Sequence, residues 1–264
     1  MLKKIVEKLG KRGVLPFVCF WLICTSVVAW RCCYDLKVYF GGETLVYRFV
    51  SQSGYDYLLH LPVGYTDFGQ ARPLMVFLHG AGETGKDVEI LKHVDPVHYA
   101  KGNVPVKDFP FIVISPMTPQ HGWQPKRVVQ LLDEILADEG KRWNIDRSRI
   151  YLTGLSMGGF GTFKTACEFP EHFTAIIPVA GGCEVEHAAK LKNVPTWAFH
   201  GDADNVVRYE CSADMIKAMQ VAGCREAKLT TLRGAGHGIM KNVYTKPETY
   251  QWLLNTKPQK NYSP

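Results

Sequence analysis

Tyr151-Leu152-Thr153-Gly154-Leu155-Ser156-Met157-Gly158-Gly159-Phe160-Gly161-Thr162 is the stretch on which the reading of this chain turns. Its first half, with Arg149 and Ile150, is short, apolar and β-branched, as a buried strand should be. Residues 160–169 can run as a helix. Between the two stands a Gly-x-Ser-x-Gly pentapeptide, Gly154 to Gly158. A serine at such a junction sits on a sharp, strained turn that lifts its hydroxyl to the top edge of a parallel sheet. Glycines suit the turn because a side chain there would collide with the neighbouring strand and helix. Ser156 is therefore the candidate nucleophile. Alone, the pentapeptide also fits a glycine-rich turn with a capping serine, so its weight depends on the rest of the chain.

A nucleophilic serine needs a base, an orienting carboxylate and donors for the oxyanion. Residues 73–78 read as a buried strand and end in His79-Gly80-Ala81-Gly82. A loop of this type supplies one oxyanion donor, here Ala81; the second comes from Met157, directly after the serine. His79 is expected to fix that loop by hydrogen bonds. Residues 194–199 form another buried strand, leading into His200-Gly201-Asp202-Ala203-Asp204-Asn205-Val206-Val207. Loops at strand carboxyl ends carry chemistry in parallel sheets. Asp204 lies further into the loop, before a Val-Val pair that can pin it, whereas Asp202 suits a turn cap. After a last strand at 227–232 comes Gly234-Ala235-Gly236-His237-Gly238, and His237 is the candidate base. The chain order is Ser, Asp, His. His60, His93, His98, His121, His172 and His187 lack a spacing such as His-Glu-x-x-His, and default to surface or packing roles. No metal and no cofactor is expected.

Strand signals at 57–61, 74–78, 111–115, 149–153, 175–180, 195–200 and 228–232 alternate with helical stretches at 128–143, 160–169, 210–222 and 248–255. That alternation predicts an α/β fold with a mostly parallel, doubly wound sheet in one catalytic domain over residues 43–258. Residues 180–194 leave room for only a short connection, so no cap domain is expected there. The site should be open, shaped by the 82–110 and 116–128 loops.

The N-terminus carries a separate signal. Lys3, Lys4, Lys8, Lys11 and Arg12 precede an apolar run over residues 14–30. Thr25-Ser26-Val27-Val28-Ala29 is similar to a cleavage site, which makes residues 1–30 a signal peptide, with a single-span anchor as the alternative. Either reading puts the catalytic domain outside the cytoplasm, periplasmic, secreted or membrane-anchored. Membrane contact is then expected only through an uncleaved N-terminal segment. No lipobox precedes Cys32 or Cys33. The formal net charge of +6 owes +4 to residues 1–30, and the mildly basic remainder makes no case for nucleic-acid binding. Cys211 and Cys224 flank an expected helix roughly 18 Å long and should not bond to each other. Cys167 is expected to be a small core residue.

The stretches 78–85, 151–162, 199–207 and 234–238 together resemble the bacterial serine hydrolases often labelled "predicted peptidase". These are relatives of the phospholipase/carboxylesterase and acyl-protein thioesterase group and of feruloyl esterases. The resemblance implies an α/β-hydrolase core, Ser156, Asp204 and His237 as triad, and Ala81 and Met157 as oxyanion donors. Trp123 is similar to a family tryptophan near the acyl pocket, with a half-buried packing role as the alternative. The function expected is hydrolysis of carboxylic esters, small or polysaccharide-linked, through an acyl-enzyme. The alternatives are a prolyl-oligopeptidase-like peptidase with the same triad and, more distantly, a binding protein on the same fold.

Overall fold

The computed structural model describes residues 45–66, 69–139, 143–224 and 226–257. The charged and apolar N-terminal segment of residues 1–30 lies outside them. Eight strands form one sheet: β1 (Leu45–Phe49), β2 (Tyr57–Leu61), β3 (Arg72–Leu78), β4 (Ile112–Pro116), β5 (Ile145–Leu155), β6 (Ala175–Val179), β7 (Thr196–Gly201) and β8 (Ala227–Leu232). Their order is β1-β2-β4-β3-β5-β6-β7-β8. The pairs β1–β2 and β2–β4 are antiparallel, and every other pair is parallel. Among the described residues, six helices accompany the sheet: α1 (Pro96–Ala100), α2 (Pro125–Glu134), α3 (Met157–Glu168), α4 (Glu210–Val221), α5 (Met240–Tyr244) and α6 (Pro247–Asn255).

β4 and β6 are buried at every position and β3 at all but its first. This is what a parallel sheet covered on both faces requires, and it explains their continuous apolar runs. Strand alternation sorts the side chains. Met75, Phe77, Tyr151, Ile177 and Phe199 enter one core with Tyr244 of α5 and Tyr250 and Leu253 of α6. α3 packs on β3, β5 and β6, and α2 lies against α3. Fully buried side chains such as Phe77 and Phe163 each contribute about 1.5–3 kcal/mol over exposure. The sheet is doubly wound, and the fold is that of an α/β-hydrolase. Between β6 and β7 the only helical element is the 3₁₀ stretch Val185–Leu191, with no cap domain.

Two differences from the sequence reading have local causes. β1 is an edge strand with half-buried Val46 and Tyr47 and exposed Arg48, so it lacks an apolar run to announce it. The helix expected over 128–143 starts earlier, with Pro125 at its first turn, where a missing N–H costs nothing. It gives way to a π turn at Ile135–Glu139.

Candidate active site

Ser156 stands between β5 and α3 with φ 57° and ψ −119°, a left-handed conformation that non-glycine residues rarely adopt. Glycines make the turn possible through space rather than flexibility. A Cβ on Gly158 would stand 1.8 Å from the Leu78 carbonyl oxygen, and one on Gly154 2.5 Å from the same atom. The end of β3 therefore passes directly against the turn. The Ser156 N–H donates to the Val179 carbonyl at 2.9 Å, tying the turn to β6 as well.

That approach brings the 79–83 loop beside the serine. A Cβ on Gly80 would lie 3.9 Å from the Ser156 Cβ. Ala81 opens the 3₁₀ helix Ala81–Glu83 and Met157 opens α3. First-turn N–H groups have no partner inside their own helix, and neither of these donates elsewhere among the described residues. Both expected oxyanion donors are thus open.

His79 holds the loop. Its Nδ1 donates to the Gly80 carbonyl at 2.6 Å, and its Nε2 accepts from the Thr118 N–H at 3.1 Å. These partners fit the neutral ring with its proton on Nδ1. Burial lowers its pKa to about 4, against the opposing hydrogen bond to Gly80. Trp123 adds a second tie. Its indole N–H donates to the His79 carbonyl at 3.1 Å, and the two rings lie 4.9 Å apart. Trp123 is buried against Tyr55 and the loop, the packing surroundings weighed for it above. The Gly122 N–H points to the Met157 sulfur at 3.1 Å.

The carboxylate and the imidazole meet as expected. His237 Nδ1 lies 2.7 Å from Asp204 Oδ2. The Asp204 side chain is fully buried, and its Oδ1 accepts from the N–H groups of Val206 at 2.8 Å and Val207 at 2.9 Å. Burial alone would raise its pKa. Hydrogen bonds from His237, Val207 and Val206 outweigh that and hold the carboxyl below its ordinary value. Asp202 does something else: its Oδ1 accepts from the Gly234 N–H at 2.6 Å, capping the turn that presents His237. His237 Nε2 and the Ser156 hydroxyl make no hydrogen bonds among the described residues. Serine–imidazole contacts of this kind commonly tighten only when substrate is bound.

Leu155 and Gly238, the chain neighbours of Ser156 and His237, share one cavity of about 260 Å³ with Gly80. Phe77, Val94 and Tyr99 supply apolar and aromatic wall, while Glu83 and Lys241 supply charge. Burial raises the Tyr99 pKa, with Glu83 and Asp95 adding to it. The 82–110 segment lines the cavity as expected. The 116–128 segment does not: Trp123 buttresses the loop from behind, and the remaining wall comes from Met240 and Lys241.

His200 is a participant that sequence reasoning passed over. It is fully buried, with Nε2 3.0 Å from the Val207 carbonyl and 3.4 Å from Asp204 Oδ2. Its Nδ1 is 2.7 Å from the Ser212 hydroxyl, which donates to the Gly181 carbonyl at 2.5 Å. His200 stood inside the quoted 199–207 stretch, but Ser212 is contributed by α4, and no local pattern links the two.

A family model described as Phospholipase/Carboxylesterase matches residues 67–249. A bifunctional acetylxylan esterase/xylanase of Neocallimastix patriciarum is 27% identical over 142 residues, 52% of this chain and 20% of that protein. A protein named "Probable feruloyl esterase C" from Aspergillus terreus is 25% identical over 66% of this chain and 64% of its own length. The crystal structure of a thermostable esterase superposes with a TM-score of 0.65 at 29% identity, over 80% of this chain and 62% of that one. The chain thus spans between a fifth and just under two thirds of these relatives.

Proposed function

The chain belongs to the phospholipase/carboxylesterase family, and from that premise we propose that it hydrolyses carboxylic esters through an acyl-enzyme on Ser156. The observation that carries the reading is the conjunction of a strained serine at φ 57° with a 2.7 Å His237–Asp204 pair beside one cavity. Ser156 Oγ attacks the acyl carbonyl while His237 Nε2 takes its proton. The N–H groups of Ala81 and Met157 receive the oxyanion. His237 then protonates the leaving alcohol, and water, activated by the same imidazole, releases the acid. Asp204 keeps the His237 proton on Nδ1, so that Nε2 is the basic nitrogen. Every step uses groups of this chain and water.

The cavity supports a short or single-ring acyl group, since its volume is small and its charged residues sit among aromatic wall. The acetylxylan and feruloyl esterase relatives support an acyl group carried on a polysaccharide. The Lys/Arg-rich start and the apolar run at 14–30 support action outside the cytoplasm. The test pairs ester and peptide substrates sharing one acyl group, with fluorophosphonate labelling of Ser156. We expect labelling, fast ester turnover and little amide cleavage. Preferential amide cleavage would make the protein a peptidase, and absence of labelling would make it a binding protein.

A further inference from the structure

A second cluster of reactive side chains lies at the far end of α3. Cys167 is in the last turn of that helix, 2% exposed. Cys183 and Glu184 follow the Gly181-Gly182 pair after β6, and His187 is in the 3₁₀ stretch Val185–Leu191. The Cys183 thiol faces Glu184 and His187. It lies 3.1 Å from Glu184 Oε2 and 3.9 Å from His187 Nδ1, and these last two atoms are 3.9 Å apart. Donor atoms of Cys183, Glu184 and His187 all fall within 4.8 Å of one another. The remaining contacts are the Cys167 thiol with the His187 carbonyl at 3.8 Å and Lys164 Nζ with Glu184 Oε1 at 3.8 Å.

We propose that Cys183, Glu184 and His187 bind one zinc ion, with Cys167, whose thiol reaches the His187 carbonyl at 3.8 Å, turning in as the fourth ligand. Two thiolates, an imidazole and a carboxylate are the donor types of a closed tetrahedral zinc site. With zinc–sulfur bonds near 2.3 Å and zinc–nitrogen or –oxygen bonds near 2.0–2.1 Å, neighbouring donor atoms stand roughly 3.3–3.8 Å apart. The distances of 3.1, 3.9 and 3.9 Å bracket those edges. On binding, two metal–sulfur bonds form as two thiol protons leave to solvent, and the charge is shared with the Glu184 carboxylate. The site lies eleven residues along from Ser156, about 16 Å by helix rise. Its role is to clamp the 183–187 segment to the helix that carries the nucleophile.

The sequence reading expected no metal because it looked for local spacings such as His-Glu-x-x-His and Cys-x-x-Cys, whereas Cys167 stands sixteen residues before Cys183 on a separate element. The test is titration of the full-length, reduced, metal-stripped chain with cobalt(II), then zinc. We expect one equivalent bound, a thiolate-to-cobalt charge-transfer band that zinc abolishes, and a Tm raised by several degrees with zinc. Cys183→Ser and His187→Asn should each weaken binding at least about tenfold, while Cys211→Ser leaves it intact. None of these readouts depends on ester hydrolysis, so the proposal stands or falls apart from that function. Absence of the band, cobalt binding as tight in Cys183→Ser as in the unaltered chain, or a Cys167–Cys183 disulfide whose reduced form binds no cobalt would overturn it.

Discussion

Among the described residues, two histidine–aspartate pairs stand at the same 2.7 Å separation, His237–Asp204 and His60–Asp95. In the first, the aspartate side chain is fully buried but the histidine is 23% exposed and its neighbour Gly238 lines the cavity next to Ser156. In the second, both side chains are sealed, at 3% and 0% exposure, between β2 and the start of α1. There Asp95 caps α1, accepting from the His98 N–H at 2.9 Å. Contact geometry is therefore no mark of chemistry. What separates the pairs is a partly exposed imidazole whose chain neighbour Gly238 lines one cavity with Leu155, the neighbour of Ser156 at φ 57°. The inner pair has the carboxylate and the ring but nothing to act on.

The harshest way to break the comparison is to remove the nucleophile. Ser156→Ala takes away one hydroxyl and should lower kcat by a factor of about 10⁴ or more, with the fold and the cavity unchanged. Burst-free progress curves and an unaltered circular dichroism spectrum are the expected record. Near-normal turnover in the purified variant would remove Ser156 from the chemistry.

Matched asparagine substitutions at the two aspartates come next. Asp204→Asn should cost about 10⁴ in kcat, because an amide donates where His237 needs an acceptor and the wrong tautomer results. Asp95→Asn should leave activity per folded molecule close to normal and instead cost about 3 kcal/mol of stability, as when a buried pair loses its charged partner. Denaturant titration and active-site counting on both variants separate the effects. If Asp95→Asn proved the catalytic lesion, the roles of the two pairs would be reversed.

His79 sharpens the contrast, being buried with no aspartate and only Glu83 as far as 3.9 Å away. Its folded-state pKa near 4 lies below the unfolded value of about 6.5. A depressed value means that its contribution is full above pH 6.5 and drains away as pH falls toward 4, where the unfolded chain takes up a proton the native ring refuses. The difference corresponds to about 3 kcal/mol. His79→Asn removes this titration, so wild type should lose about that much more stability than the variant between pH 7 and pH 4. Equal losses in urea melts would show that the ring is protonated in place. Asp204, held below its ordinary value, acts lower on the scale: its contribution is present above about pH 4 and lost as pH falls through its native value.

Much of this was legible in the sequence, and the reason is local. The elbow, the 79–82 loop and Asp204 each follow a strand buried at its end, and His237 follows the half-exposed edge strand β8, so strand and site announce one another. The glycine at 158 could be read as obligatory before the 1.8 Å clash at that position was seen. What escaped reading depends on contacts between distant segments. His200 needs Ser212 from α4, and the cavity wall needs Met240 and Lys241 from a five-residue helix too short to show a period. Trp123 could be placed near the site from its resemblance, yet only its 3.1 Å bond to the His79 carbonyl shows that it faces the loop.

The smallest effect is expected at Asp202, which stands two residues from Asp204 but whose carboxylate meets the Gly234 N–H rather than His237. Its carboxylate caps Gly234 at 2.6 Å, and its own N–H donates to the Leu232 carbonyl at 3.2 Å. Asn keeps an acceptor oxygen at the same position, so Asp202→Asn weakens a charge-assisted bond to a neutral one without leaving a donor unpaired. The turn before His237 should loosen slightly. A change of this size corresponds to a loss of no more than about tenfold in kcat/KM, falling mainly on kcat because the imidazole, not the cavity, is displaced. Steady-state kinetics of the two asparagine variants side by side decide the matter. A deeper loss at Asp202 than at Asp204 would transfer the orienting role to the carboxylate that now holds the turn, and the 2.7 Å contact to His237 would then be no more functional than the one sealed behind β2.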